Sequence, residues 1–474
     1  MILKEQYTRL KDRIEKNPEI SAVIGLFMVS QAVMLFTLLN KPPIWDTSIY
    51  MAMGKHLYSL GEIGLWEGFR PPLIPVIYGV FWKLGIPAVP AARLVALIIS
   101  TTGITAFYYG VKDMDGQKTA FYATGLLIST YVFVAKSTML LTGIPSALIL
   151  FSSVWMYEKQ KYSLSGILLA LAFLTRFPAA IAGPVLVAYT FYEGWVDKNL
   201  KKPVKQSFKL TAAFFTTILP YLILNQVYSG SFIQPFINAV KVPAAAASKY
   251  IFGLYYFIEA LKFNPLLALS IPGIYIAWKK KESQYLLSTF LFLSAYGFFT
   301  VFPHKEPRYM LLFLPFMAFL AGRTIKELGT QVQNKDYFKW GFIGLTAVIM
   351  VIFAFQAYQT NSYVNENTKQ FYNHASGLEG VVVSNSPAVA AYGDIKYKGL
   401  PPGYLPGIYR NMKGRADYYA INSCAWYCSD SIKNCEKNIR QFTSNLTENY
   451  EKSFELKGKH CNYTVYEVGS KLGR

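Results

Sequence analysis

The chain has 474 residues, of which 53% are hydrophobic and only 16% charged, against roughly a quarter charged in an average soluble domain. Lysine and arginine number 47 and the acids 27, a net charge of +20. A chain this apolar is not a disordered basic tail, and a nucleic-acid binder of this charge would be rich in both signs. Nucleic acid is therefore excluded as a partner, and a membrane protein remains.

A spanning helix needs about 20 mostly apolar residues. The candidates are 20–39, 91–110, 119–136, 144–157, 163–176, 178–194, 208–227, 264–278, 284–302, 309–322 and 340–358. The expectation is an α-helical polytopic membrane protein of about eleven transmembrane helices. The first run lacks a small-residue cleavage site, so it reads as a span and not as a signal peptide. The run from Pro71 to Gly85 is too short to span and reads as an interfacial or re-entrant helix. With the N-terminus cytoplasmic, the segments 1–19, 111–118, 158–162, 195–207, 279–283 and 323–339 lie inside. They hold most of the basic residues before position 360, as the positive-inside rule requires.

Eleven spans place residues 361–474 on the extracytoplasmic side. This second part is ordinary soluble sequence and reads as a small α/β domain. Strands are expected at Val381-Val382-Val383, 418–421 and 463–468, with helices at 387–392 and 429–450. All four cysteines, Cys424, Cys428, Cys435 and Cys461, fall here. Two disulfides in an oxidising compartment are expected, with connectivity open and zinc binding as the alternative. The sequons at Asn445 and Asn462 agree with an outward-facing domain.

The outer face of the membrane part (residues 1–360) carries few carboxylates and several cations, which suits an anionic amphiphile such as a lipid phosphate. The first outer loop, about 40–90, opens with Trp45-Asp46-Thr47-Ser48. Asp46 reads either as the N-cap of an amphipathic helix over Ile49–Leu60 or as a general base, and the two roles are compatible. The same loop holds Glu67 and Arg70. The knot His304-Lys305-Glu306-Pro307-Arg308-Tyr309 packs ionisable groups at a span boundary, where they are costly unless they bind something. Arg308 could grip a phosphate bidentately and His304 could hydrogen-bond phosphate or sugar. Arg176 lies at the outer end of one span. The loop 228–263 is long enough for a lid and offers Lys249 as a further phosphate contact. Asp113-Met114-Asp115 has the form of a metal-holding DxD pair, but it falls on the inner side, away from Asp46.

In order along residues 20–360, these elements resemble the GT-C superfamily of integral-membrane glycosyltransferases. The resemblance rests on Asp46 after the first span, Arg70-Pro71-Pro72-Leu73, Ala91-Ala92-Arg93-Leu94, the run Gly166 to Arg176, and His304–Tyr309. The last is similar to the His-Lys-Glu-x-Arg motif of dolichyl-phosphate-mannose-dependent mannosyltransferases. The rest resembles the protein-mannosyltransferase and aminoarabinose-transferase branch. The resemblance implies a polyprenyl- or dolichyl-phosphate-linked sugar as donor, and a glycan, lipid or protein acceptor. It implies that Asp46 deprotonates or orients the acceptor hydroxyl, with inversion at the anomeric carbon. Arg308, His304, Arg176 and Lys249 are the implied phosphate contacts.

One position departs from the pattern: Gly143 stands where relatives carry a second acid. Either the second carboxylate is dispensable, or Glu67 or Glu306 substitutes, or the chain is not a standard transferase. The departure also weakens any metal site: a divalent metal is possible but not favoured, and no cofactor is certain. Transfer of a single sugar, mannose among the candidates, is the leading expectation. A lipid-linked-sugar flippase and a non-catalytic subunit of a glycosylation complex are the rivals.

Overall fold

The computed structural model describes residues 18–38, 41–199, 201–245, 253–362, 368–400, 415–426, 428 and 434–469. Each of the eleven apolar runs is helical. Ala88–Asp115, Lys201–Val227, Ser283–Val301 and Lys335–Phe353 are each long and apolar enough to cross a membrane, and Ser21–Phe36, Leu73–Lys83 and Tyr162–Thr175 are shorter apolar helices. Phe208, Phe215, Leu219 and Ile223 on Lys201–Ser229, and Trp340, Val351 and Ile352 on Lys335–Ser362, are exposed. Rows of large apolar side chains on the outside of a helical bundle form its lipid-facing surface. The protein is an integral membrane protein.

Several runs expected as single helices are divided. The run 119–136 breaks at Ser129-Thr130 into Gln117–Ile128 and Tyr131–Lys136. The runs 178–194, 264–278 and 309–322 each open with a 3-10 turn, Phe177–Ile181, Pro265–Leu269 and Pro307–Leu312, with proline at its first or second position. Proline loses no hydrogen bond at a helix start but breaks the ladder further in. Hydropathy registers only the apolar run, not the change of direction at its start. The expected long loop 228–263 contains two helices, Gln234–Ala245 and Tyr255–Phe263. Lys249, between them, lies outside the described residues.

The segment 41–87 forms a helical pair, Trp45–Tyr58 against Leu73–Lys83. The second helix, of 11 residues, is about 16 Å long and cannot span. The pair meets at two glycines. A Cβ on Gly54 would lie 2.6 Å from Tyr78 Cδ1, and one on Gly79 would lie 2.2 Å from Tyr58 Cδ2. Neither position has room for a side chain.

The C-terminal unit is a five-stranded sheet of β1 Val381–Ser384, β2 Lys396–Gly399, β3 Tyr418–Asn422, β4 Glu451–Lys457 and β5 Asn462–Glu467, in the order β2-β1-β3-β5-β4. β1 runs parallel to β2 and β3, with Val382 opposite Tyr418, while β5 runs antiparallel to β3 and β4. Successive strand residues face opposite sides. Val382 and Ala420 pack with Phe371, Tyr372 and Val389 on one face. Val383 and Tyr419 pack with Phe442 and Leu446 of the Cys435–Asn449 helix on the other. The two strands the sequence did not announce, β2 and β4, are the edges and are rich in Lys and Glu, a composition that blunts edge pairing and hides the strand signal. The cysteines pair as Cys424–Cys461 and Cys428–Cys435, which leaves no thiol for zinc.

A buried lysine joins this unit to the first helical pair. Lys55 has no exposed surface. Its ammonium donates to the carbonyls of Ala390 (3.2 Å), Ala391 (3.0 Å) and Gly393 (2.9 Å) and pairs with Asp394 at 3.0 Å. Burial pulls its pKa down, and Asp394 partly restores it. Beside it, Gly64 N–H donates to Ile395 O at 2.8 Å and Tyr397 N–H donates back to Gly64 O at 3.3 Å. The sheet is thus fastened to the helix that carries Asp46. Lys55→Met leaves buried carbonyls without a donor, a loss on the order of 3 kcal/mol. It should lower the Tm of the detergent-purified protein and expose the C-terminal unit to protease. An unchanged Tm would contradict the docking role.

Candidate active site

Asp46 is the second residue of the Trp45–Tyr58 helix, behind an N-cap, Ile44, that makes no side-chain bond. The capping role expected of Asp46 is therefore not observed. Its carboxylate turns away from the backbone toward two arginines. Arg70 Nη1 donates to Oδ1 at 2.9 Å, and Arg308 Nη1 donates to Oδ2. Arg70 also donates to Glu67, and Arg308 to Glu306. Glu306 meets His304 Nε2 at 2.9 Å. Six of the residues singled out in the sequence therefore form one continuous chain: Glu67, Arg70, Asp46, Arg308, Glu306 and His304.

Burial alone would raise the pKa of Asp46, but Arg70 and Arg308 outweigh it and hold the group at about 2. Burial likewise opposes ionisation of Glu306, and His304 and Arg308 hold it at about 2. Burial would lower the pKa of both arginines, and the surrounding carboxylates raise it instead. A carboxylate with a depressed folded-state pKa gives its full stabilisation above its ordinary value, 3.8 for Asp46, and loses it as pH falls through about 2. The Tm difference between wild type and Asp46→Asn should therefore hold constant from pH 7 to about 4 and shrink only below that. A difference that disappears near pH 6 would contradict the ion-pair chain.

Two cations beside the chain have no carboxylate partner among the described residues. Arg176 follows the Tyr162–Thr175 helix as its C-cap. Its guanidinium lies over Tyr309 at 4.8 Å and over Phe299 at 5.9 Å. Lys136 ends the Tyr131–Lys136 helix, touches Met139 Sδ at 3.9 Å, and lies within electrostatic reach of Arg308, Glu306 and Asp46. Tyr50 stacks under Arg70 at 5.5 Å, and its hydroxyl meets Thr142 Oγ1 at 3.4 Å. No motif in the sequence marks Lys136, Tyr50 or Thr142 as part of the site. Lys305, inside the motif, donates to the carbonyls of Phe299 (2.8 Å), Thr300 (2.6 Å) and Phe302 (2.5 Å). It closes the C-terminal end of the Ser283–Val301 helix, a favoured place for a cation.

At the other end of the bundle, Asp115 pairs with Arg323 at 2.6 Å and Lys326 at 2.9 Å, and Arg323 also pairs with Glu282 at 3.2 Å and Glu327 at 2.9 Å. Asp113 pairs with Lys159 and accepts from Trp155 Nε1 at 3.1 Å. Both carboxylates of the DxD pair are thus taken up by cations, and the network gathers the lysine-rich turns at one end. Among the described residues no three His, Cys, Asp or Glu side chains converge on a point where a metal could sit.

The sequence model of the Alg9-like mannosyltransferase family matches residues 26–380. No curated protein matches significantly in sequence. Among solved structures, the chain is similar to ArnT from Cupriavidus metallidurans bound to undecaprenyl phosphate. That match has a TM-score of 0.66 and 13% identity over 95% of this chain and 98% of that one. The apo state of the same protein gives a TM-score of 0.64 and 11% identity over 95% and 98%. The archaeal oligosaccharyltransferase AglB from Archaeoglobus fulgidus, in complex with an inhibitory peptide and a dolichol-phosphate, gives 0.59 and 12% identity over 95% of this chain and 74% of that one.

Proposed function

The chain belongs to the Alg9-like mannosyltransferase family, and from that premise we propose that it transfers one sugar, mannose, from a polyprenyl-phosphate carrier to a hydroxyl acceptor, with inversion. It is a glycosyltransferase with the GT-C fold. The donor class is supported by the undecaprenyl phosphate in ArnT and the dolichol-phosphate in AglB. The observation that carries the reading is the contrast within the site: an ionised, doubly clamped Asp46 beside two cations, Arg176 and Lys136, that make no ion pair with a carboxylate among the described residues.

The acceptor oxygen attacks the anomeric carbon as the bond from that carbon to the phosphate oxygen breaks. The electron pair goes to the phosphate, which departs as an anion and needs no acid. Arg176 and Lys136 supply the positive charge that this build-up requires. The acceptor proton goes to the Asp46 carboxylate and from there to water. With its pKa held at about 2, Asp46 is a weak base, so it first orients the hydroxyl and takes the proton only once bond formation has acidified it. Arg308 and Arg70, each shared between two carboxylates, hold Asp46 in place, and His304 steadies Glu306 behind Arg308.

The site faces the extracytoplasmic side in this reading, with the N-terminus cytoplasmic and residues 361–474 outside, above the site and in position to meet the acceptor. The lysine-rich turns at the opposite end support that orientation. All four native cysteines are in disulfides, so a Met114→Cys variant carries a single reporter thiol. An impermeant maleimide should label it only in inverted vesicles, and labelling from outside the cell would reverse the orientation. The activity test is direct. Purified protein in nanodiscs, given undecaprenyl-phosphate mannose, should convert the phosphodiester signal in ³¹P NMR to that of the monoester. A spectrum that never changes with any hydroxyl acceptor or with water would refute the reading.

A further inference from the structure

Gly143, the first residue of the Gly143–Glu158 helix, stands against the unpaired guanidinium. A Cβ built on it would lie 3.1 Å from Arg176 Nη1 and 2.9 Å from Leu311 Cδ1. Both neighbouring atoms are at the far ends of flexible side chains, so a small side chain would fit after a modest shift. An aspartate there would bring its carboxylate to the guanidinium and neutralise it from within the protein. The other two arginines of the site share three carboxylates, while Arg176 lies against the faces of Tyr309 and Phe299 and makes no ion pair among the described residues.

We propose that Gly143 sets what balances the charge of Arg176 in this chain: its missing side chain keeps the guanidinium open, so that the phosphate of the lipid carrier, and not a carboxylate of the chain, completes the charge balance of the site. The proposal rests on the donor reading above and adds which side chain meets the donor's phosphate. It also carries a preference between the two ends of the reaction. The donor is a phosphodiester with one negative charge, and the released carrier is a phosphomonoester whose second proton leaves near pH 6. A guanidinium without a carboxylate in contact among the described residues gains most from the more highly charged species, so its contribution grows as the sugar departs. A carboxylate at position 143 would act as a tethered competitor for that charge.

The test compares Gly143→Asp with Gly143→Asn, which match in shape and differ in charge, using the full chain in detergent and undecaprenyl phosphate as the probe. Two readouts are needed. Without the probe, Gly143→Asp should have a higher Tm than Gly143→Asn, and the difference should vanish in an Arg176→Gln background. With the probe, Gly143→Asn should bind within a few-fold of wild type, and Gly143→Asp about 10- to 100-fold more weakly. Equal Tm values, or equal losses of binding in the two variants, would overturn the proposal, since shape and not charge would then explain the effect. If the Tm difference appears but wild type itself ignores undecaprenyl phosphate, the coupling of Gly143 to Arg176 stands. The donor reading, and with it the assignment of the carrier phosphate to Arg176, falls.

Discussion

Asp46→Asn is expected to lower turnover about 100- to 10,000-fold while undecaprenyl phosphate still binds. Asparagine keeps the shape of the side chain and one acceptor oxygen but cannot accept the acceptor's proton. The clamp loosens without collapsing, because Arg70 keeps Glu67 and Arg308 keeps Glu306. Removing one negative charge from the site leaves it more positive, so the affinity for a phosphate should hold or rise. The measurement is a pair: initial rate with undecaprenyl-phosphate mannose, and affinity for undecaprenyl phosphate alone. A variant that turns over at the wild-type rate would remove Asp46 from the chemistry. One that loses both rate and affinity would show that the carboxylate serves only to hold the arginines.

Arg176→Gln is expected to cost about 100- to 1,000-fold in turnover, the usual effect of removing one donor aimed at developing negative charge. The same substitution should raise the Tm of the ligand-free protein. A part-buried guanidinium with no ion-paired carboxylate among the described residues opposes folding, and replacing it with a neutral amide removes that opposition. The stabilisation that undecaprenyl phosphate gives to wild type by mass action should be largely absent from the variant. Gain of ligand-free stability together with loss of ligand response is a signature that a purely structural arginine would not give. A lower ligand-free Tm would assign Arg176 to the packing of Tyr309 and Phe299.

The sequence made some of this site legible and hid the rest for physical reasons. Asp46, Arg70, Glu67 and the His304–Arg308 knot stand out because charges are rare among apolar residues near a membrane. Their mutual pairing does not show, because Asp46 is 24 residues from Arg70 and 262 from Arg308, and no periodicity links them. Lys305 shows the limit of reading charge as binding: it lies inside the motif, yet its ammonium closes a helix end. Lys55 is the converse case, a lysine without any motif that fastens the C-terminal sheet to the Asp46 helix through backbone carbonyls. Carbonyl acceptors leave no trace in residue identities. Among the fold elements, the apolar runs were readable as helices from hydropathy, whereas the proline-led 3-10 turns at three of them and the charged edge strands β2 and β4 were not.

Whether the sugar comes from a lipid phosphate is decided by giving the reconstituted protein radiolabelled mannose either on undecaprenyl phosphate or on a nucleoside diphosphate, with extracted cell-envelope acceptors. Transfer is expected from the lipid donor only, with free undecaprenyl phosphate released in equal amount and inverted anomeric configuration in the product. Transfer from the nucleotide donor with none from the lipid would contradict a lipid-phosphate donor.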